Sequence, residues 1–315
     1  MSPPELLTVT RTQGNNEALK TGAVTPHGFR FAFEEVPVLV HAFRRMVRGL
    51  EFDVCEMALT TYLVAKAHGV AFTAVPVFLV RGFHHGAIHR STASDIRTPK
   101  DLEGRKVGVS RGYTVTTGVW ARSVLQDEYG VDLSTVTWVL SGNEHVAQYR
   151  PPGNVAPVEA GTTLAEMLER GELAAVIGAG IEGPDVTPLI PDPLEAGFRA
   201  MQQRGLYPIN HLVVIKDEVL RAQPEVATEV FDAFARAKQL YVERLRSGAI
   251  TNPTATDRMY ARVMESTGAD PLPYGIAPNR KTLDELLRSA VDQKILERPP
   301  AIEEVFAQAT LDLTA

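Results

Sequence analysis

The sequence predicts an α/β fold of two lobes arranged as a clamp, each lobe a mainly parallel sheet flanked by helices. Three observations carry this. Short apolar runs alternate with amphipathic segments of helical period; that alternation restarts near residue 98; and the chain ends in a long helical stretch. At 315 residues and 44% hydrophobic, the chain is large enough for two cores.

Leu6–Thr12 and Phe29–Val36 read as strands. Leu39–Arg48 reads as a helix whose Leu39, Val40, Phe43, Met46 and Val47 share one face. Phe52–Leu59 is a strand, Thr60–His68 a helix and Phe72–Val80 a strand, which is βαβ grammar. Thr98–Gly104 is a single turn with proline at its start and glycine at its stop. Strands at Arg105–Ser110 and Val136–Leu140 enclose a helix, Thr114–Tyr129, closed by Gly130. Residues 142–161, rich in Gly and Pro, read as a surface loop. Thr162–Arg170 is a helix with Thr162 as N-cap, and Leu173–Gly178 a buried strand. His211–Lys216 is a strand, followed by helices at Pro224–Arg246, Ala255–Thr267 and Lys281–Leu296. The expected division is residues 1–90 with 211–315 as the first lobe and 91–210 as an inserted second.

Composition narrows the function. A formal charge of −6 without basic runs argues against nucleic acid as partner. No window approaches a membrane span, and Met1–Leu7 lacks the features of a secretory signal. The single cysteine, Cys55, forms no intrachain disulfide; it reads as a buried, inert thiol, and a cytoplasmic location is expected. Motifs for dinucleotides, phosphate loops, zinc proteases and serine hydrolases are absent.

The polar residues near strand ends are the equipment of a small-anion site. Glu56 ends the alternation of its strand and suits a base or an orienter of histidine. Thr60 offers a helix-start hydroxyl, and Arg81 a planar fork for a carboxylate. His84 and His85, if extended, point to opposite faces, which favours His85 as the site residue. Arg111, Tyr113 and Thr116 lie between a strand and a helix, where free N–H groups suit an anion. Tyr207, Asn210 and His211 precede a buried strand. An alternative puts a divalent metal on His85, Glu56 and His211, though no compact ligand motif supports it.

A set of ordered motifs covers nearly the whole chain: Phe52-Asp-Val-Cys-Glu-Met57, Pro76-Val-Phe78, Arg81-x-Phe-x-His85, Ile96-Arg-Thr-Pro-Lys-Asp-Leu102, Tyr113-x-x-Thr116, Leu164-x-x-Met-Leu-x-x-Gly-Glu172, Tyr207-Pro-Ile-x-His211 and Pro273-Tyr-Gly275. Together they resemble the 4,5-dihydroxyphthalate decarboxylase family. That resemblance implies a type II periplasmic-binding-protein-like fold and cofactor-independent decarboxylation of a small hydroxylated aromatic carboxylate. His85 or His211 would then be the acid, Glu56 the orienter or phenol base, and Arg81 and Arg111 the carboxylate clamps. Where the family usually carries a Tyr-Asp-His-Thr-like run after the first strand, this chain has Thr12-Gln-Gly-Asn-Asn16. Competing readings are a lyase or isomerase of a biosynthetic pathway and a non-catalytic solute-binding protein. Self-association into a homo-oligomer stays open.

Overall fold

A computed structural model describes residues 3–315, which divide into two compact units. The first comprises the described residues up to Gly82, Ile209–Leu283 and Pro300–Ala315; the second comprises Phe83–Pro208 and Asp284–Pro299. The strands are β1 (Glu5–Val9), β2 (Arg30–Phe33), β3 (Val54–Ala58), β4 (Phe72–Arg81), β5 (Ile88–Ser91), β6 (Lys106–Val109), β7 (Thr137–Leu140), β8 (Val155–Pro157), β9 (Ala175–Ile177), β10 (Val186–Pro188) and β11 (Ile209–Lys216). The helices are α1 (Glu17–Lys20), α2 (Leu39–Gly49), α3 (Leu59–Ala67), α4 (Thr116–Tyr129), α5 (Leu164–Glu169), α6 (Pro193–Arg204), α7 (Asp217–Ala222), α8 (Val226–Arg246), α9 (Ala255–Thr267), α10 (Arg280–Asp292) and α11 (Ile302–Val305).

The first sheet has the order β2-β1-β3-β11-β4, with β11 antiparallel to both neighbours and the remaining pairs parallel. The carboxyl ends of β1, β3 and β4 and the start of β11 therefore share one edge. Residues just after β1, Glu56 and Thr60, Arg81, and Asn210 with His211 all come to that edge. The second sheet has the order β10-β5-β9-β6-β7-β8, with β5 antiparallel to both its neighbours. Each sheet is thus mixed through one reversed strand, the strand that enters or leaves the inserted segment.

The expected division shifts at both boundaries. Residues 83–90 go with the second unit because β5 pairs with β9 and β10. Ile209 and Asn210 go with the first because β11 begins there. Residues 284–299 join the second unit, where Gln293 accepts from Arg122 Nε at 2.8 Å and Arg288 bonds Asp127 at 2.6 Å.

Most element expectations hold within a residue or two, and α9 matches its expected bounds. Thr163, rather than Thr162, caps α5, forming a reciprocal capping box with Glu166. The 142–161 loop contains a short edge strand, β8. β5, β10, α1, α6, α7 and α11 lie outside the expected elements. His84 and His85 are not extended: His85 opens a 3-10 turn, His85–Ala87.

Pro76 sits inside β4 although a proline cannot donate to a ladder. The register slips there, from Phe78↔Leu212 to Val75↔Val213, so a bulge absorbs the residue. The outer edge of β4 is covered by the C-terminal segment, with Ala307 N donating to Ala74 O at 2.8 Å.

Cys55 is fully buried in β3, and burial pushes its thiol up. Thiolate is the reactive form. Native protein is therefore expected to resist alkylation by iodoacetamide, with one equivalent of label taken up only in denaturant. Stoichiometric native labelling would show that β3 is accessible.

Candidate active site

Glu56 and His211 meet on one face of the first sheet. His211 lies opposite Ala58, two residues beyond Glu56 on β3, so the two side chains are diagonal neighbours. His211 Nδ1 is 2.6 Å from Glu56 Oε1. The loop leaving β1 completes the acid's surroundings: Arg11 N donates to Oε2 at 2.9 Å, and Gln13 Nε2 reaches both oxygens at 3.5 Å. An ionised carboxylate only accepts, and the donors converging here suit that form. In that arrangement Nδ1 carries a proton and donates it to Glu56.

Glu56 is fully buried, whereas the His211 side chain retains 18% exposure. The Phe43 ring from α2 stands perpendicular to the imidazole, centroids 5.3 Å apart at 89°. Strand position, carboxylate and ring thus fix the imidazole, and no described residue hydrogen-bonds Nε2. A histidine held through one nitrogen by a carboxylate and open at the other is suited to moving a proton.

Arg81 ends β4 at 5% exposure. Its Nη1 donates to Asn279 Oδ1 at 2.7 Å. Asn279 is itself locked, its amide donating to Pro273 O at 2.9 Å and Gly275 O at 2.8 Å. The Pro273-Tyr-Gly275 motif is therefore a bracket for the residue that orients Arg81. Gly275 has φ 100, and a Cβ there would collide with Leu313 O, so only glycine fits. Tyr260 from α9 lies against the same strand end, its hydroxyl 3.4 Å from Arg81 N. Burial pushes the Tyr260 phenol up to about 12, against the pull of Arg81 and Arg11. Thr60 is fully buried in the first turn of α3, and Asn210 precedes His211 on β11.

The other expected site residues belong to the second unit. His85 is 3% exposed, and its Nε2 is 2.8 Å from Glu128 Oε2 on α4. The other oxygen of Glu128 accepts from Arg204 of α6 at 3.0 Å. The small void beside His85, lined by Trp120, Glu128 and Arg204 among others, measures about 10 Å³. That is room for no more than a water. His84 stacks on Trp120, and Tyr207 packs on Phe83 with ring centroids 5.6 Å apart.

The loop from β6 to α4 does bind an anion, but the anion is the protein's own Glu144. Its carboxylate accepts from Tyr113 N, Thr114 N and Thr114 Oγ1. Arg122, fully buried, supports this loop from beneath. It lies 3.8 Å from the Tyr113 ring centroid and donates to Tyr113 O at 2.6 Å, and burial pulls its guanidinium pKa down. Arg111 takes a left-handed backbone, φ 68, fixed by its N–H donating to Ser141 Oγ at 2.8 Å. Thr116 is buried as the first residue of α4.

Among the described residues, no group of three His, Cys, Asp or Glu side chains is arranged to hold a metal ion. No described helix is long and apolar enough to cross a membrane.

Asn279, Gln13 and Arg11 escape sequence reasoning about the site. Asn279 follows a proline in what reads as an ordinary turn, and the 11–13 loop carries no recognisable motif.

No family model matches the chain. Among solved structures, the chain is similar to the periplasmic aliphatic sulphonate binding protein SsuA of Escherichia coli, with a TM-score of 0.52 at 12% identity, covering 99% of this chain and 100% of that one. It is also similar to the desulfurization enzyme DSZB, with a TM-score of 0.54 at 13% identity, covering 98% of each chain. At such identities the likeness is one of fold, and the fold is periplasmic-binding-protein-like. In sequence, the chain is 38% identical over 144 residues to a 4,5-dihydroxyphthalate decarboxylase of Pseudomonas putida, covering 43% of this chain and 55% of that one. It is 30% identical over 287 residues to the 4,5-dihydroxyphthalate decarboxylase of Comamonas testosteroni, covering 86% of each. With that extent of match joined to the ordered motifs and the carboxylate-held histidine, the chain belongs to the 4,5-dihydroxyphthalate decarboxylase family.

Proposed function

We propose that the protein is a carboxy-lyase that releases CO2 from a hydroxylated aromatic carboxylic acid of the dihydroxyphthalate type, with His211 as the proton donor. The observation that carries this reading is the Glu56–His211 pair, 2.6 Å apart at the sheet edge where β1, β3 and β4 end.

Direct loss of CO2 would leave an aryl anion in the ring plane. Protonating the ipso carbon first avoids that species. In 4,5-dihydroxyphthalate each carboxylate has a hydroxyl para to it. As the phenol proton passes to water, its oxygen pushes electrons through the ring, and the ipso carbon takes the Nε2 proton of a doubly protonated His211 imidazolium, which leaves the Nδ1–H held by Glu56. The bond to the carboxylate carbon then breaks. Its electron pair restores the aromatic ring, and CO2 departs. The phenol regains a proton, and the imidazole is reprotonated from water, so one proton is consumed per CO2. Glu56 serves as orienter rather than phenol base, because its oxygens already receive Arg11, Gln13 and His211. The sequence of steps needs an acid and an oriented ring, and no organic cofactor.

Arg81 suits the carboxylate that is retained. A clamp on the departing one would stabilise the ground state and slow its loss. Arg81→Lys is expected to raise KM about tenfold, a bidentate fork being worth more than a point charge, with kcat changed less. Steady-state kinetics check this, and an unchanged KM would remove Arg81 from the binding role. A cytoplasmic enzyme fits the lone, buried Cys55.

The decisive experiment is CO2 release from a panel of hydroxyphthalates and hydroxybenzoates. Acids with a hydroxyl ortho or para to the carboxylate should react, and meta isomers should not. Tight binding across the panel with no CO2 release would replace this reading with that of a solute-binding protein.

A further inference from the structure

An asparagine just ahead of a helix ordinarily caps it. Asn16 stands in that position before α1, fully buried, yet its side chain makes no capping bond. It turns back onto the preceding loop instead. Oδ1 accepts from Gln13 N at 2.8 Å, while Nδ2 donates to Arg11 O at 2.9 Å and to Thr10 Oγ1 at 3.3 Å. One side chain thus joins the peptide groups on the two sides of Thr12 and closes the turn between them.

The two residues it grips are the two that hold the acid. Arg11, bonded through its carbonyl, gives its N–H to Glu56 Oε2 at 2.9 Å. Gln13, bonded through its N–H, is the residue whose side chain reaches both Glu56 oxygens. The rest of the loop is anchored separately. Lys20 Nζ donates to Thr10 O at 2.6 Å, and Asn15 Nδ2 donates to Leu79 O at 2.9 Å, just ahead of Arg81 on β4. Gly14 lies against the Tyr241 ring of α8, where a Cβ would collide. These contacts hold the loop to its neighbours, whereas the arc that faces Glu56 takes its shape from Asn16.

We propose that Asn16 is a positioning residue of the reaction: it acts through Arg11 and Gln13 on Glu56, and through Glu56 on the ring of His211. The reaction it serves rests on the carboxy-lyase reading; the relay of contacts rests on the hydrogen bonds alone. A carboxylate that keeps its donors stays in place. One that loses them turns, and the imidazole it orients turns with it or moves its proton to the other nitrogen. A displacement of that kind costs rate rather than binding.

Asn16→Ser tests it. Serine matches asparagine as an N-cap residue but is too short to span Arg11 O and Gln13 N. The variant should lose about 10–10²-fold in kcat for CO2 release. Calorimetric titration with 3,4-dihydroxybenzoate, the acid left when 4,5-dihydroxyphthalate loses one CO2, should give an affinity within about threefold of wild type. The nitrogen-15 shifts of the His211 ring, read with one proton on it, should move from the Nδ1–H form towards the Nε2–H form. Wild-type kcat in the folded variant overturns the proposal. So does a loss shared equally by kcat and affinity, or a lost rate with an unmoved tautomer. Should Asn16→Ser not fold, Asn16→Asp decides by the same readings: it keeps the acceptor for Gln13 N but has no donor for Arg11 O. The two readings fail separately. A tautomer that moves in the variant, while the wild type releases CO2 from no acid, keeps Asn16 as holder of the pair and removes the lyase. Equal CO2 release in variant and wild type, with the tautomer unmoved, removes Asn16 and keeps the lyase.

Discussion

His211→Gln is expected to lower kcat for CO2 release by about 10²–10⁴-fold, the range associated with loss of a positioned general acid. Glutamine keeps a polar group beside Glu56 but carries no transferable proton. KM should change little, because His211 handles a proton that moves only in the transition state. The fold should survive, since the side chain is partly exposed and Gln still has an amide to offer the Glu56 oxygens. His211→Ala should behave alike in kcat, and added imidazole should recover part of its rate, because the space beside Phe43 then admits the missing ring. Steady-state kinetics with thermal melting separate the chemical loss from unfolding. A His211→Gln enzyme that keeps its melting temperature and a rate within about threefold of wild type would end the assignment of His211 as the acid.

His85 is the contrasting case and shows how far the sequence reads. The alternation of strands and helices, the glycine stop after α4 and the helical return are local patterns, and periodicity exposes them. Individual polar residues at strand ends are visible in the same way, which is why Glu56, Arg81 and His211 stand out in the sequence alone. Their pairing is not visible. Glu56 and His211 are 155 residues apart, and only the insertion of reversed β11 between β3 and β4 brings them together. In sequence His85 looks as available as His211. Its partner Glu128 lies on α4, where an acidic residue reads as part of a solvated face, so the burial of His85 against it is hidden. The anion loop misleads in a subtler way: its donors are real, but Glu144, from a segment that reads as featureless loop, has taken them. Strands β5 and β10 are short and largely half-buried to exposed, too brief to show a period. Tertiary pairing decides each of these, and no window of sequence contains it.

Glu56→Gln carries the second large effect. The carboxylate fixes the proton on Nδ1 of His211 and so leaves Nε2 as the working nitrogen. Glutamine is nearly isosteric but presents an NH2 group where only acceptors fit. Turned one way, it faces the donors Arg11 N and Gln13 Nε2; turned the other, it faces His211 and favours the wrong tautomer. The related loss in serine proteases, where an asparagine replaces the orienting aspartate, reaches about 10⁴-fold. A drop of about 10²–10⁴-fold in kcat is expected here. Affinity for 3,4-dihydroxybenzoate should stay within about threefold, because Glu56 is buried behind the imidazole. The informative construction is the double variant. If Glu56 acts only through His211, then adding Glu56→Gln to His211→Gln should cost almost nothing further, whereas independent roles would multiply the two losses. A multiplied loss in the double variant would make Glu56 a separate participant, namely the phenol base, and would assign the second proton of the reaction to it.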